Sequence, residues 1–422
     1  MFDIAIIGAG ISGASFAKKI SKIAKTLLVE ARDYKTKIPT RTNIFAEHNH
    51  PYIEESIWND KSIFPLPYAA ANYMGDERDG IISGEEFGKP LGKVCHTNLL
   101  IKKYIHIFEE NGGEFHNGEK IQSVNTNSDY VEIKTKRGET YKTKLLVLAT
   151  GSKGFELQRS LGFKTPDSYK GICMHLYGEE SQLQKNFNFQ YCFHINPNIS
   201  RNGPFFINRG KGRIFVGFLG DRQSSEPEFI DKLDRILSNY KRIQPFLQGL
   251  KRDEQSIVID NISKHPIPRF STDRVLVLGE AAGLVTSFFY EGMLCGLVSA
   301  DIAFNLVKKL MKSKQEYSRE NLRSYDEEIN RILLNNYFRN GDASEYLFYN
   351  DGSYVRDLWN EYVELLTQNK TVRKYLWEAH INHDLANHKI SNDRYVGEKL
   401  FGKLSTFTKI ALGGRFFKAM LK

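Results

Sequence analysis

Three glycines and one carboxylate carry the clearest chemistry in this sequence. Gly8, Gly10 and Gly13 have the G-x-G-x-x-G spacing, and Glu30 follows seventeen residues after the last of them. Gly8 suits a tight turn. Gly10 leaves room for a pyrophosphate to approach the backbone, and Gly13 lets a helix lie close to a strand. Free amides at the start of that helix attract phosphate. A carboxylate at Glu30 can accept hydrogen bonds from both hydroxyls of an adenosine ribose. The chemistry implied is binding of a dinucleotide.

That reading requires elements in a fixed order, and the sequence supplies them. Phe2–Ile7 reads as a buried strand, the next run to about Ala24 as a helix, and Leu27–Val29 as a second strand closed by Glu30. The glycine pattern is informative because it sits in this strand–turn–helix–strand context. The chain has 422 residues, enough for two or three domains, and 41% are hydrophobic, which is ordinary for a globular protein. No apolar run approaches the roughly 20 residues of a spanning helix. The first strand begins at residue 2, leaving no room for a targeting peptide, so a cytoplasmic protein is expected. Cys95, Cys173, Cys192 and Cys295 lie far apart, which argues against a disulfide framework, a zinc site or a dithiol centre. No His-x-x-x-His spacing or carboxylate cluster suggests a metal. The net charge of +9 comes with no nucleic-acid-binding motif, so no nucleic-acid partner is expected.

Further along, residues 81–86 read as a strand and turn, and Asn98 to Glu110 as a helix ended by Gly112-Gly113. Short strands follow at 120–124 and 130–136, and Leu145–Leu148 runs as a buried strand into Ala149-Thr150-Gly151. Between 170 and 220 the chain is aromatic and strand-like, which suggests an antiparallel sheet inserted into the nucleotide domain. Residues 226–250 read as helical, Pro266-Ile267-Pro268 as a linker, and 275–278 as another buried strand before Gly279-Glu280. A long helix from about Glu291 to Lys312 and a mostly helical remainder complete the chain.

Three segments, Gly8–Gly13 with Glu30, Leu146–Gly151, and Gly279–Gly283 with Glu291-Gly292, together resemble the FAD-dependent oxidoreductases that group p-hydroxybenzoate hydroxylase with geranylgeranyl reductase. The third segment is most similar to the geranylgeranyl reductase branch. The resemblance implies an α/β fold: a Rossmann-like FAD-binding domain of the GR2 type, an inserted antiparallel substrate sheet and a mainly helical C-terminal region. The expected boundaries are 1–75, 95–165 and 255–315 for the FAD-binding domain, 76–94 and 166–254 for the sheet, and 316–422 for the helices. Cofactor contacts are then expected from Gly8, Gly10, Ile11, Ser12, Gly13, Glu30, Ala31, Arg41, His96, Ala149, Thr150, Gly151, Gly279, Glu280, Gly283, Glu291, Gly292 and Met293. Glu280 stands where the family has an acid for the ribityl hydroxyls. The helix opening at Gly292 and Met293 would direct its amides at the flavin edge that gains charge on reduction. His96 stands where the family often has an arginine. The sequence departs from the reductases at Ser287 and Tyr290, where they usually have Pro and Gly, and in Pro39–Asn43, which lacks their Cys-Gly pair.

The activity implied is reduction of carbon–carbon double bonds in a geranylgeranyl or polyprenyl lipid by hydride transfer. Tyr290 and His96 are the candidate proton donors, and Phe205, Phe206, Phe218, Phe288 and Phe289 the candidate substrate wall. An FAD monooxygenase acting on a small apolar or aromatic compound shares the same motifs. A flavin- or lipid-binding protein without turnover is a third reading. No second G-x-G-x-x-G appears, so electrons would come from transiently bound NAD(P)H or from a carrier protein such as ferredoxin. Residues 399–422 hold six basic residues and no acidic one, interleaved with Phe401, Phe407, Ile410, Phe416 and Phe417. A basic amphipathic stretch of this kind can lie on an anionic membrane surface, and a peripheral membrane contact is expected there.

Overall fold

The computed structural model describes residues 1–34, 41–221, 224–387 and 389–420. Pro39 and Thr40 of the segment after Glu30, and Leu421 and Lys422 of the basic tail, lie outside them. β1 (Phe2–Ile7), α1 (Ile11–Ile20) and β2 (Thr26–Glu30) form the expected unit. Their apolar runs are buried on both sides, as a parallel sheet with covered faces demands. The parallel core of this sheet runs Val275–Val277, Thr140–Leu148, β1, β2, Glu114–Asn117. β1 thus lies between the strand that follows it and one far along the chain, which makes its carboxyl end a topological switch point.

Register explains why the three distant motifs meet. Ile7 pairs with Val29 on one side and Leu148 on the other, and Leu148 pairs with Val277. The next residues, Gly8, Glu30, Ala149 and Leu278, therefore emerge along one edge of the sheet. The helices Thr97–Glu110 and Met293–Lys312 start within two residues of their expected positions and pack around α1.

The second sheet has seven strands in the order Lys251–Lys264, Asp167–Tyr177, Arg213–Asp221, Phe205–Gly210, Tyr191–His194, Ala70–Met74, Asp79–Ser83. It reaches beyond its expected limits at both ends. Ala70–Met74 belongs to it, and Lys251–Lys264 crosses the expected boundary at 255 as one strand. The strand Tyr191–His194 does not extend back to Phe187 and Phe189, because these rings fold onto Phe246 instead.

This sheet has two different faces. Phe205 and Phe218 pair directly and point to the side covered by the helix Glu226–Asn239, where Phe218 stacks on Phe229 at 5.6 Å. Phe206 and Phe215 point to the other side, as strand alternation requires. Phe205 and Phe218 are core residues, which corrects their assignment to the substrate wall. Beyond Lys312 the chain is helical, and a π-helical segment Asn330–Tyr337 interrupts the run from Arg319 to Phe348. Among the described residues no helix is long and apolar enough to cross a membrane.

The two faces are separable by stability. Phe218 is fully buried, and Phe218→Ala is expected to cost about 3–5 kcal/mol in denaturant unfolding. Phe206→Ala, beside open volume, is expected to cost clearly less; equal losses would contradict the assignment of faces.

Candidate cofactor and substrate site

At the switch point the glycines divide by what surrounds them. A Cβ on Gly8 would lie 2.3 Å from the Ala149 carbonyl oxygen, and one on Gly13 would lie 1.9 Å from the Gly8 oxygen. Gly8 also has φ +104°, which disfavours any side chain. Gly10 has nothing within 4 Å. Two glycines are thus required by packing, and the third faces open space at the head of α1, where a phosphate group can be received. Ser12 is wedged between the sheet and the long helix: Cβ atoms on Gly279 and Gly296 would come within 2.1 and 2.6 Å of its Oγ. Ile11 packs beside it against the main core.

Glu30 is buried, and two backbone amides fix its carboxylate. Oε2 accepts from Ala9 N at 2.7 Å and Oε1 from Arg32 N at 2.8 Å. Oε1 also takes a longer bond from Arg32 Nε at 3.3 Å, so Oε2 is the oxygen that keeps a lone pair for a further donor. Ala31 is exposed just beyond it. Tyr34 braces the same turn, its hydroxyl donating to the Ala9 carbonyl at 2.8 Å.

Glu280 sits in the 3-10 turn Gly279–Ala282 just beyond the strand Val275–Val277, where its Oε1 accepts from Ser263 N at 3.0 Å. Its Oε2 lies 3.4 Å from where a Gly151 Cβ would be. Burial raises its pKa to about 7, Ser263 N and the cations Arg41 and Lys153 opposing. Arg41 and Lys153 both approach Asp260, at 3.9 and 3.3 Å. Gly283 adopts φ +74° and tucks against the His265 carbonyl.

A second group of polar residues gathers around Thr42. His96 pairs with Thr42 across two strands, Arg213 Nε donates to Thr42 Oγ1 at 3.0 Å, and Asn208 Nδ2 donates to the Thr42 carbonyl at 3.0 Å. His96 Nε2, both ring nitrogens of His175, Asn208 Oδ1 and Thr150 Oγ1 are buried with no hydrogen-bond partner. Burial and the Arg213 charge hold His96 and His175 at pKa values of about 4, so both are neutral at pH 7. Orphaned polar atoms are costly in a folded interior. Polar atoms such as those of a dinucleotide would satisfy them, so the donor set fits FAD. Thr42, His175, Asn208 and Arg213 were not among the residues singled out by sequence; nothing in their spacing links them.

The loop 286–293 carries the clearest departure from expectation. Tyr290 has φ +56°, a left-handed backbone, at the position where the resemblance implies a glycine. Its conformation is held by several contacts. Tyr290 N donates to the Thr286 carbonyl at 3.1 Å, and its hydroxyl donates to the Asn202 carbonyl. Lys264, whose side chain is fully buried, lies 4.3 Å from the Tyr290 ring and 4.5 Å from Tyr169. Its ammonium donates to the Ser287 carbonyl at 2.8 Å and to Glu345 at 2.5 Å. Ser287 Oγ also reaches Asp342 at 2.5 Å, so the helix Phe338–Phe348 clamps the loop from outside. Glu291 Oε1 accepts from Leu294 N at 2.7 Å, which uses one amide of the helix start that was expected to face the cofactor. Burial raises the Glu291 pKa above its ordinary value.

Beside this loop lies a cavity of about 1060 Å³. Phe206 and Phe215 of the sheet, Phe288 and Phe289 of the loop, Glu291, Gly292 and Met293 line it, and the C-terminal helices roof it. Of the expected substrate wall, Phe206, Phe288 and Phe289 are brought together; Phe205 and Phe218 are not. Of the two expected proton donors, the Tyr290 hydroxyl is committed to a carbonyl, and His96 is a neutral imidazole against the sheet. Among the described residues one cluster of metal-ligand types is found: Glu47, His50 and His383 each place one such atom within 4.8 Å of the others. Lys89 at 3.0 Å already neutralises Glu47, and the 333-residue separation hid the group from sequence reading.

A parallel sheet with a glycine-rich switch point, a fixed ribose-type carboxylate and a second antiparallel sheet closing over it defines a flavoprotein of the two-sheet type. The sequence matches the family of FAD-dependent oxidoreductases (DAO) over residues 75–306, more than half of the chain, and the protein belongs to that family. No curated protein matches. Among solved structures, a geranylgeranyl bacteriochlorophyll reductase-like protein from Thermoplasma acidophilum superimposes with a TM-score of 0.76 at 18% identity, covering 97% of this chain and 98% of that one. The halogenase PltM, in complex with phloroglucinol and FAD, gives 0.69 at 14% identity over 100% and 96%. The p-nitrophenol 4-monooxygenase PnpA from Pseudomonas putida DLL-E4 gives 0.69 at 12% over 92% and 98%. At these identities the likeness is one of fold.

Two measurements check the cradle. Gly13→Ala is expected to abolish soluble expression, because the clash is with backbone, whereas Gly10→Ala and Glu30→Ala should fold and lose bound FAD; flavin absorbance per protein after purification reads this out. Glu280 supplies a pH signature. Its folded pKa lies above its ordinary 4.5, so its contribution to stability is full below that value and is lost as pH rises to about 7. The Tm of the FAD-free protein should fall over that window, and less steeply in Glu280→Gln.

Proposed function

We propose that this protein is an FAD-dependent reductase that saturates carbon–carbon double bonds of a geranylgeranyl or polyprenyl lipid. NAD(P)H or a carrier protein such as ferredoxin would be the external reductant. The observation that carries this reading is the aromatic cavity beside the 286–293 loop. Its volume of about 1060 Å³ lies at the top of the roughly 300–1,000 Å³ range of small-molecule sites. That suits a long apolar chain better than a single ring.

When bound and reduced by the external donor, FAD would supply the hydride that adds to one alkene carbon. The residues of the chain bind, orient and protonate. Amides at Gly10, Ile11 and Ser12 receive the pyrophosphate at the head of α1, with Ala149, Thr150 and Gly151 forming the opposite lip. Glu30 accepts from the ribose, and Glu280 from the ribityl hydroxyls. Arg41 would add positive charge at the crevice, and the start of the long helix at Gly292 and Met293, part of it capped by Glu291, would lie toward the developing negative charge. Phe206, Phe288 and Phe289 keep water from the reacting carbons.

The neighbouring carbon needs a proton, and Glu291 is the best-suited source. It lines the cavity, Leu294 N fixes its carboxyl, and burial favours its protonated form. Tyr290 then acts as a wall between cavity and loop rather than as the acid.

Product analysis under argon tests this reading. With excess dithionite and a geranylgeranyl lipid, the product should gain a pair of hydrogens per reduced bond. Glu291→Gln should lower the rate by about 10²-fold or more with flavin content unchanged, and the wild-type rate should decline as pH rises through the Glu291 pKa. An oxygenated product formed only in air would make the protein a monooxygenase. No product in either atmosphere would leave a flavin- and lipid-binding protein.

A further inference from the structure

The last two helices, Thr406–Leu412 and Arg415–Met420, present two unlike faces. Leu404 just before the first, Thr408 and Leu412 within it, and Phe416 and Ala419 of the second across the Gly413 turn, are buried. Phe416 and Ala419 reach the cavity and form part of its roof. The opposite side carries Phe407, Ile410 and Phe417, which are 71%, 74% and 61% exposed. Phe407 and Ile410 are the two most exposed large apolar side chains among the described residues.

The charge of this stretch is of one sign. Lys399, Lys403, Lys409, Arg415 and Lys418 occur between residues 399 and 420, with no Asp or Glu. Described contacts of these cations are to rings and neutral oxygens: Lys409 over Phe401 at 5.2 Å, Arg415 over Tyr346 at 5.4 Å, and Lys403 to Gln368 Oε1 at 2.5 Å. Their positive charge is therefore not cancelled locally.

We propose that residues 399–420 dock on an anionic lipid bilayer, with Phe407, Ile410 and Phe417 entering the headgroup boundary and the cations beside lipid phosphates. A bilayer is the occupant that uses both features. Exposed aromatic and aliphatic tips next to lysines bind at the level of the headgroups, and each adds apolar burial or attraction to anionic lipid. A stable protein interface buries about 800 Å² on each partner, which three isolated tips do not provide, and a nucleic acid has no use for them. The same helices form part of the cavity roof, so a lipid chain leaving the bilayer at the patch meets the cavity across these helices. Only this last step rests on the proposed substrate class.

Co-sedimentation of the full-length holoprotein with vesicles tests the docking, with no substrate or reductant present. The protein should pellet with phosphatidylcholine vesicles containing phosphatidylglycerol and far less with phosphatidylcholine alone. The combined variant Phe407→Ser, Ile410→Ser, Phe417→Ser should lose about tenfold in partitioning, with flavin content and circular dichroism unchanged. Lys409→Gln with Lys418→Gln should weaken binding to the anionic vesicles and reduce its salt dependence. Wild-type protein left in the supernatant with both vesicles, or variants that pellet like wild type, would overturn the proposal. Neither result would touch the reductase reading, which detergent-dispersed substrate tests separately.

Discussion

Backbone packed directly against backbone is the constraint on which the rest of this structure depends. At the carboxyl end of β1, Gly8 touches Ala149 and Gly13 touches Gly8, at distances that no Cβ survives. Ser12 fills the gap between Gly279 and Gly296. These contacts draw α1, the Ala149–Gly151 turn and the start of the 279–283 segment onto one edge. Because neighbouring parallel strands end at the same height, Glu30 and Leu278 arrive there in register, and Glu280 follows two residues later in the turn Gly279–Ala282. The crevice is a consequence of the packing, and its open floor at Gly10 is the one place where a larger group can come close.

The cavity draws on three separate parts of the chain, and each is held by a different kind of interaction. The antiparallel sheet contributes one aromatic face because the other is consumed by the helix Glu226–Asn239. The 286–293 loop contributes Phe288 and Phe289, both within 5.2 Å of Phe193 centroid to centroid. The C-terminal helices, outside the region matched to the family, supply the roof and the polar clamp. That clamp matters energetically. A left-handed tyrosine costs on the order of 1–3 kcal/mol, and charge-assisted bonds from buried Lys264 to Ser287 and Glu345 offset it. The helical region thus helps set the backbone of the loop beside the cavity.

The nucleotide half of the site was legible because its rules are local. Each fingerprint glycine has its own steric reason, and Glu30 and Glu280 each follow a short buried strand. The antiparallel half was harder to read. Adjacent phenylalanines at 205 and 206 erase the alternation that would reveal which face is buried, and only the position of the covering helix decides it. Ala70–Met74 went unread because its small residues carry no strong strand signal and its parallel partner lies far away at Tyr191–His194. Convergence across hundreds of residues, as for Thr42 with His96, Asn208 and Arg213, or Lys264 with Glu345, leaves no mark in spacing. The Tyr290 substitution was visible, but its meaning, a strained turn braced from outside, required the backbone angle.

The central claim is that a flavin held at this crevice passes electrons to an alkene in the adjoining cavity. Stopped-flow absorbance of the reduced holoprotein under strict anaerobiosis addresses it most directly. Mixing with a geranylgeranyl lipid should restore the oxidised flavin band in proportion to the double bonds consumed, at a rate that saturates with lipid. A reduced band that persists until oxygen is admitted would contradict the account.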